Sequence, residues 1–232
     1  MDLRGNRHVA KNFIISLDFD GVLAQGLRIK RKYAKRWFGM ELALHQTKKD
    51  GFEALANSLH KDIDYRSLMD PLNESHIMEY DIPPGCLNVL QRLHHEGFRF
   101  AIITSRNDHD YHYALRFVRH YFSGMIRHVH NTSNEPKDKF LRSLHPRIHL
   151  DDDLGKLKQL LGLPVDLLYY RQPENAHENL PASSPLVHEI RDWDAFYRYA
   201  HRTRLLHEAV CWKFGLQNDY RHSDRIHRLL MH

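Results

Sequence analysis

The sequence predicts an α/β fold, in which a parallel sheet is covered by helices on both faces and a helical insertion follows the first strand. Three observations predict it. Short apolar runs recur along the chain and end in polar, chemistry-bearing residues. Segments of helical periodicity separate those runs. The stretch 25–82, directly after the first run, carries helical patterns only.

Residues 12–18, Asn-Phe-Ile-Ile-Ser-Leu-Asp, have the apolar density of a short buried strand, and the turn signal Asp20-Gly21 follows. In the insertion, residues 27–38 interleave Arg28, Lys30, Arg31, Lys32, Lys35 and Arg36 with Tyr33, Trp37 and Phe38. The aromatic spacing suits an amphipathic helix with one packed face better than a nucleic-acid surface. Residues 52–59 and 65–69 predict two further short helices, and Pro83-Pro84-Gly85 punctuates the return to the sheet. Leu87, Leu90 and Leu93 give a helix over 86–95, stopped by Gly97. The second strand, 98–103, ends at Thr104-Ser105-Arg106. Tyr113, Phe117 and Tyr121 mark a helix over 109–122, and Pro136 opens another over 136–144. A third strand, 147–150, runs into Asp151-Asp152-Asp153. A short helix over 154–161 closes at Gly162, and 165–170 is a fourth strand. The segment 192–232 reads as helical, with Phe196, Ala200, Leu206, Ala209 and Val210 on one apolar face; residues 181–185, Pro-Ala-Ser-Ser-Pro, are linker-like. The predicted organisation is a core of 1–24 and 83–191, an insertion of 25–82, and a C-terminal segment of 192–232 packed on the core.

A length of 232 residues suits one compact domain with a modest insertion. With 42% hydrophobic residues the chain can bury a normal core, which excludes wholesale disorder. No apolar stretch approaches the roughly 20 residues that span a bilayer, and the N-terminus lacks the apolar segment of a secretion signal. The expectation is a cytoplasmic protein with no membrane partner. Cys86 and Cys211 are too far apart for metal-ligand spacing or a disulfide framework and read as reduced thiols. The net charge of +5 and pI of about 9.1 suit anionic partners without choosing among them. The twenty histidines are scattered. His109 with His112, and His222 with His227, are neighbours without a third ligand, which favours structural or surface roles over zinc.

Open parallel sheets place ligands at the carboxyl ends of their strands, and here three such ends carry Asp18, Thr104 and the aspartates 151–153. Residues i and i+2 of an extended chain point to one side, so Asp18 and Asp20 can share a cleft, and Gly21 permits a sharp turn away from it. Two carboxylates so placed repel each other unless a divalent cation lies between them. One can then attack a phosphoryl group while the other donates and accepts a proton. An oxygen-only donor set suits Mg²⁺, not zinc. The Thr104 hydroxyl is a candidate phosphate contact, and Lys137 or Lys139 would neutralise the phosphate. Lys48 and Lys49 are insertion residues that could face a substrate. A calcium loop over 18–29 is disfavoured because its last position lacks glutamate.

Asp18-Phe-Asp-Gly-Val-Leu23 resembles the first motif of the haloacid-dehalogenase (HAD) superfamily. Ile102-Ile103-Thr104 resembles its second motif, Lys137 or Lys139 its third, and Ile148-His-Leu-Asp151-Asp152 its fourth, so the resemblance covers roughly residues 12–175 in the right order. It implies a three-layer, Rossmann-like core with the insertion as a cap over the substrate, and Mg²⁺ as cofactor. It further implies that Asp18 forms an aspartyl-phosphate and that Asp20 protonates the leaving oxygen and then activates water. The metal would be held by the Asp18 carboxylate, the Asp20 backbone carbonyl and Asp152, or else Asp151, with Asp153 one position further along. Thr104, Ser105 and Arg106 would bind substrate. Pro84-Gly85, Thr104-Ser105, Asp151-Asp152, Gln172-Pro173-Glu174-Asn175 and Trp193 also resemble the 5′(3′)-deoxyribonucleotidase branch. That branch tends to have Pro-Tyr-Asn where this chain has Pro-Glu-Asn, and Arg106 departs from its second motif. The implied activity is hydrolysis of a small phosphate monoester, with a nucleotide monophosphate as leading substrate. The alternatives are a polynucleotide-end phosphatase and a non-catalytic binding protein on the same fold.

Overall fold

The strands come from short, β-branched and aromatic runs: β1 (Ile14–Leu17), β2 (Arg99–Thr104), β3 (Ile126–Asn131), β4 (Ile148–Asp151), β5 (Asp166–Tyr170) and β6 (Val187–Ile190). They form one sheet in the order β3-β2-β1-β4-β5-β6, parallel throughout. The computed structural model describes residues 13–133, 135–180 and 187–214. Successive strand residues face opposite sides. Leu168 and Tyr170 therefore enter one apolar cluster, with Ile15, Leu17 and Phe117, while Leu167 and Tyr169 enter a second, with Leu141, Leu154 and Leu157. Both faces of the sheet are buried, which gives the three-layer, Rossmann-like architecture expected.

The helices are α1 (Leu27–Phe38), α2 (Lys49–Ser58), α3 (Tyr65–His76), α4 (Cys86–His95), α5 (Asp108–Tyr121), α6 (Asp138–Leu144), α7 (Leu154–Gln159) and α8 (Trp193–Phe214). Helices α1 to α3 form the insertion. On α1 the aromatic face is packed: Tyr33 lies 4.6 Å from the Trp37 ring and 4.2 Å from the His76 ring of α3. The left-handed Gly39 (φ 66°) closes α1. Helix α3 runs seven residues past its expected end because it continues through Pro71.

Two other expectations are corrected. The two outermost strands, β3 and β6, were not foreseen. Each has one neighbour, and their sequences, Ile-Arg-His-Val-His-Asn and Val-His-Glu-Ile, lack the continuous apolar run of a central strand. On α8 the buried stripe is Trp193, Phe196, Ala200, Thr203, His207 and Cys211, whereas Leu206 and Ala209 face outward. The 3- and 4-residue spacing of that stripe runs through a threonine and a histidine, so an apolar count alone misplaces the face by one residue. The proline-flanked stretch 181–185, the region 215–232, and His222 with His227 lie outside the described residues.

Candidate active site

Sheet register assembles the site. Leu17 pairs with Ile102 on one side and with Leu150 on the other. Asp18, Thr104 and Asp151 therefore emerge at one edge of the sheet, and the Asp18 amide still donates to the Leu150 carbonyl at 2.8 Å. Lys137, the residue before α6, inserts its ammonium between two of the carboxylates, 2.6 Å from Asp18 Oδ1 and 2.7 Å from Asp151 Oδ2. All three side chains are at most 3% exposed. Lys139 is exposed and is not at the site. Two residues along a helix turn the side chain by about 200°, so only one of the two lysines can face Asp18.

Asp151 has both oxygens engaged: Oδ1 accepts from the Asp153 amide at 2.9 Å, and Oδ2 meets Lys137. Behind it lies a polar stack inside the sheet. His149 precedes Asp151 by two residues and Ser16 precedes Asp18 by two, so each shares a face with its aspartate, and the two are register partners. Ser16 Oγ lies 2.9 Å from His149 Nδ1, and His149 Nε2 lies 3.4 Å from Asp151 Oδ2. Burial pushes the His149 pKa down and favours the neutral ring. A proton on Nε2 then faces the Asp151 carboxylate, and Nδ1 accepts from Ser16. Asp153 instead caps α7, accepting from the Lys156 amide at 3.1 Å.

Asp152 is oriented differently. Its Oδ2 accepts from Gln172 Nε2 at 2.8 Å, and Gln172 accepts in turn from Gln25 at 3.0 Å. The turn glycine makes room for it: a Cβ on Gly21, whose φ is +77°, would stand 2.4 Å from Asp152 Oδ2. One carboxylate oxygen from each of Asp18, Asp151 and Asp152 lies within 4.8 Å of the others. Burial raises the Asp18 pKa to about 6 against the pull of Lys137. Burial and neighbouring Asp151 raise the Asp152 pKa well above its ordinary value. Burial would raise Asp151 too, but Lys137 and His149 outweigh it and hold it low. With only Lys137 in direct contact, the three clustered carboxylates stay under-neutralised, and their oxygen-only donor set fits a hard divalent cation.

Asp20 is not part of that cluster. Arg106 grips it in a two-pronged ion pair, Nε to Oδ2 at 2.8 Å and Nη2 to Oδ1 at 2.7 Å, and reaches Asn73 of α3 at 3.1 Å. Burial opposes ionisation of Asp20, yet the Arg106 charge and hydrogen bonds prevail and lower its pKa. Thr104 is buried with a hydroxyl that has no hydrogen-bond partner among the described residues, an orphaned donor at the strand end. Ser105 lines a cavity beside Lys137. Lys48 pairs with Glu178 at 3.0 Å, while Lys49 is exposed. Glu174 is buried and ties the core to the insertion, accepting from Thr47 at 2.7 Å. His109 and His112 stand 5.9 Å apart. Among the described residues Asp18, Asp151 and Asp152 are the only group of three or more such side chains close enough to share a metal.

His149, Lys156 and Asn73 were not singled out in the sequence. The i−2 rule that joined Asp18 to Asp20 would have found His149 had it been applied backwards from Asp151. Lys156 and Asn73 carry no local signal, since each comes to the site through a helix packed in three dimensions.

Comparison with known proteins establishes the fold. No protein-family model matches the sequence, and no curated protein matches it significantly. Solved structures do match. The L-2-haloacid dehalogenase RSc1362 has a TM-score of 0.58 at 11% identity, over 82% of this chain and 98% of that one. YfnB of Bacillus subtilis, provisionally named a HAD hydrolase and solved with magnesium bound, has a TM-score of 0.56 at 14% identity, over 82% and 99%. A Thermotoga maritima protein provisionally named β-phosphoglucomutase has a TM-score of 0.55 at 13% identity, over 82% and 99%. The chain has the fold of HAD-like hydrolases. No helix among the described residues is long and apolar enough to cross a membrane.

Proposed function

We propose that this protein is a magnesium-dependent phosphomonoesterase acting on a small phosphate ester, with Asp18 as the group that accepts the phosphoryl. The observation that carries the reading is the site around Asp18, a buried carboxylate at a strand end, 2.6 Å from a buried lysine and clustered with Asp151 and Asp152. Asp18, Asp152 and the Asp20 backbone would hold the cation. Once bound, it would supply charge neutralisation that lets an anionic nucleophile meet an anionic phosphate. Lys137 orients Asp18 and neutralises the group transferred to it. The orphaned Thr104 hydroxyl is free to donate to a phosphoryl oxygen. Asp20 is the proton carrier in this reading, and to act it must part from Arg106. Asp151 acts indirectly, holding Lys137 and being held by the Asp153 amide, with the His149 ring 3.4 Å behind it. A nucleotide monophosphate is the first substrate to try, in keeping with the resemblance at 172–175.

The Arg106–Asp20 pair favours a second reading, displacement at carbon, because a halide leaves without a proton. The deciding experiment is a panel of phosphate esters plus 2-haloacids, with and without Mg²⁺, using the wild type and Asp18→Asn. Mg²⁺-dependent phosphate release, lost in the variant, supports the first reading. Halide release alone supports the second. Full phosphatase activity in Asp18→Asn would remove Asp18 from the mechanism.

A further inference from the structure

The site has a second cation, and it faces a cavity of its own. A space of about 260 Å³ is lined by Ser105, Glu135, Pro136, Lys137, Lys156 and Gln159. All six belong to the core; none comes from α1, α2 or α3. Lys137 is the shared wall: its ammonium touches Asp18 on one side while the residue borders this cavity on the other. Lys156, on α7, is half-buried, and its ammonium makes no hydrogen bond or ion pair with any described residue. Lys137 has already given two of its three donors to Asp18 and Asp151. A lysine whose ammonium makes no direct hydrogen bond, a lysine with one donor left and the hydroxyl-bearing residue next to Thr104 thus border one small polar space. One carboxylate, Glu135, also lies on its wall, and Glu135 is exposed.

We propose that this cavity is an oxyanion subsite that takes inorganic phosphate, with Lys156 as its principal contact, on the side of Asp18 away from the helical insertion. The inference rests on Asp18 as the phosphoryl acceptor for its place in turnover, but the anion site stands on its own lining. Phosphate freed at Asp18 has an adjoining compartment to enter whose walls do not include the insertion. Release of the phosphate is then separate from release of the leaving group, which departs on the side where Asn73 meets Arg106. The carboxylates around Lys156 keep it charged, so the compartment presents a full cation to the anion.

The test is calorimetric titration of the full chain with inorganic phosphate, with and without Mg²⁺, for the wild type, Lys156→Gln, Lys156→Arg and Gln159→Glu. Loss of one charge-assisted contact should weaken phosphate binding by roughly tenfold or more in Lys156→Gln. Lys156→Arg should retain affinity within about threefold, because the charge stays. Gln159→Glu changes an exposed wall residue and should weaken binding by placing a negative charge at the rim. Melting temperatures within 2 °C of the wild type, roughly the spread of an ordinary surface substitution, separate these effects from unfolding. Phosphate affinity unchanged within twofold in both Lys156→Gln and Gln159→Glu overturns the subsite. Ester turnover measured in parallel keeps the two ideas apart. Lys156-dependent phosphate binding without esterase activity would retain the subsite and reject the phosphatase. Esterase activity with phosphate inhibition indifferent to Lys156 would do the reverse.

Discussion

Replacing Asp18 with asparagine should stabilise the metal-free protein while abolishing its chemistry. Burial, only partly offset by Lys137, raises the Asp18 pKa from its ordinary 3.8 to about 6. At about 1.4 kcal/mol for each tenfold, keeping Asp18 ionised in the folded chain costs about 3 kcal/mol at pH 8. The folded protein holds this proton more tightly than the unfolded chain. Asp18 therefore costs little below pH 4, and its penalty grows as pH rises through 6. Asparagine is neutral and close to isosteric, so it escapes the penalty. In urea unfolding with chelator present, Asp18→Asn should be more stable than the wild type by about 3 kcal/mol at pH 8 and by less than about 1 kcal/mol at pH 4. Mg²⁺ should close the gap at pH 8, since a cation relieves the charged form only. A variant less stable than the wild type at pH 8, or a difference that does not change between pH 4 and pH 8, would refute the electrostatic reasoning.

Asp151→Asn and Asp152→Asn should separate anchor from ligand. The first removes the partner of Lys137 and of the Asp153 amide and should cost about 3–5 kcal/mol in chemical unfolding. The second, by the argument made for Asp18, should stabilise the metal-free protein at pH 8 yet weaken Mg²⁺ by about tenfold or more, read by urea unfolding and titration calorimetry. Thr104→Val removes a hydroxyl that satisfies nothing in the protein, so the melting temperature should hold while the turnover number falls by about a hundredfold. Gly21→Ala places a methyl against the Asp152 carboxylate at a φ of +77°. It should cost about 1–2 kcal/mol of stability and lower Mg²⁺ affinity together, because the backbone strain and the displaced carboxylate share one cause.

The central strands and the acidic residues at their ends were legible because a doubly buried parallel strand must be a continuous apolar run, and Asp18 and Asp151 interrupt such runs. Helix boundaries read well where a stop residue was present, as with Gly97 after α4. What escaped was set by packing rather than by local pattern. The edge strands β3 and β6 need cover on fewer sides, so their polar residues hid them. Lys137 and Lys139 were equivalent as sequence, and only the rotation about α6 separates them. Arg106 was read as a substrate contact, but here its guanidinium is committed to Asp20 and Asn73, partners 86 and 33 residues away.

The Ser16–His149 contact joins residues 133 positions apart. Strand β1 precedes the other five strands in sequence and lies near the middle of the sheet, yet one whole side of it stays unpaired until β4 arrives. Of the three acidic residues grouped at the strand ends, one is supplied before residue 20 and two after residue 150. A growing chain can therefore offer no cation a complete set of carboxylates until residue 152 has been made. Long-range pairing of this kind is slow to form. Magnesium affinity would thus appear late in refolding, as a chemical signal that the centre of the sheet has closed in register.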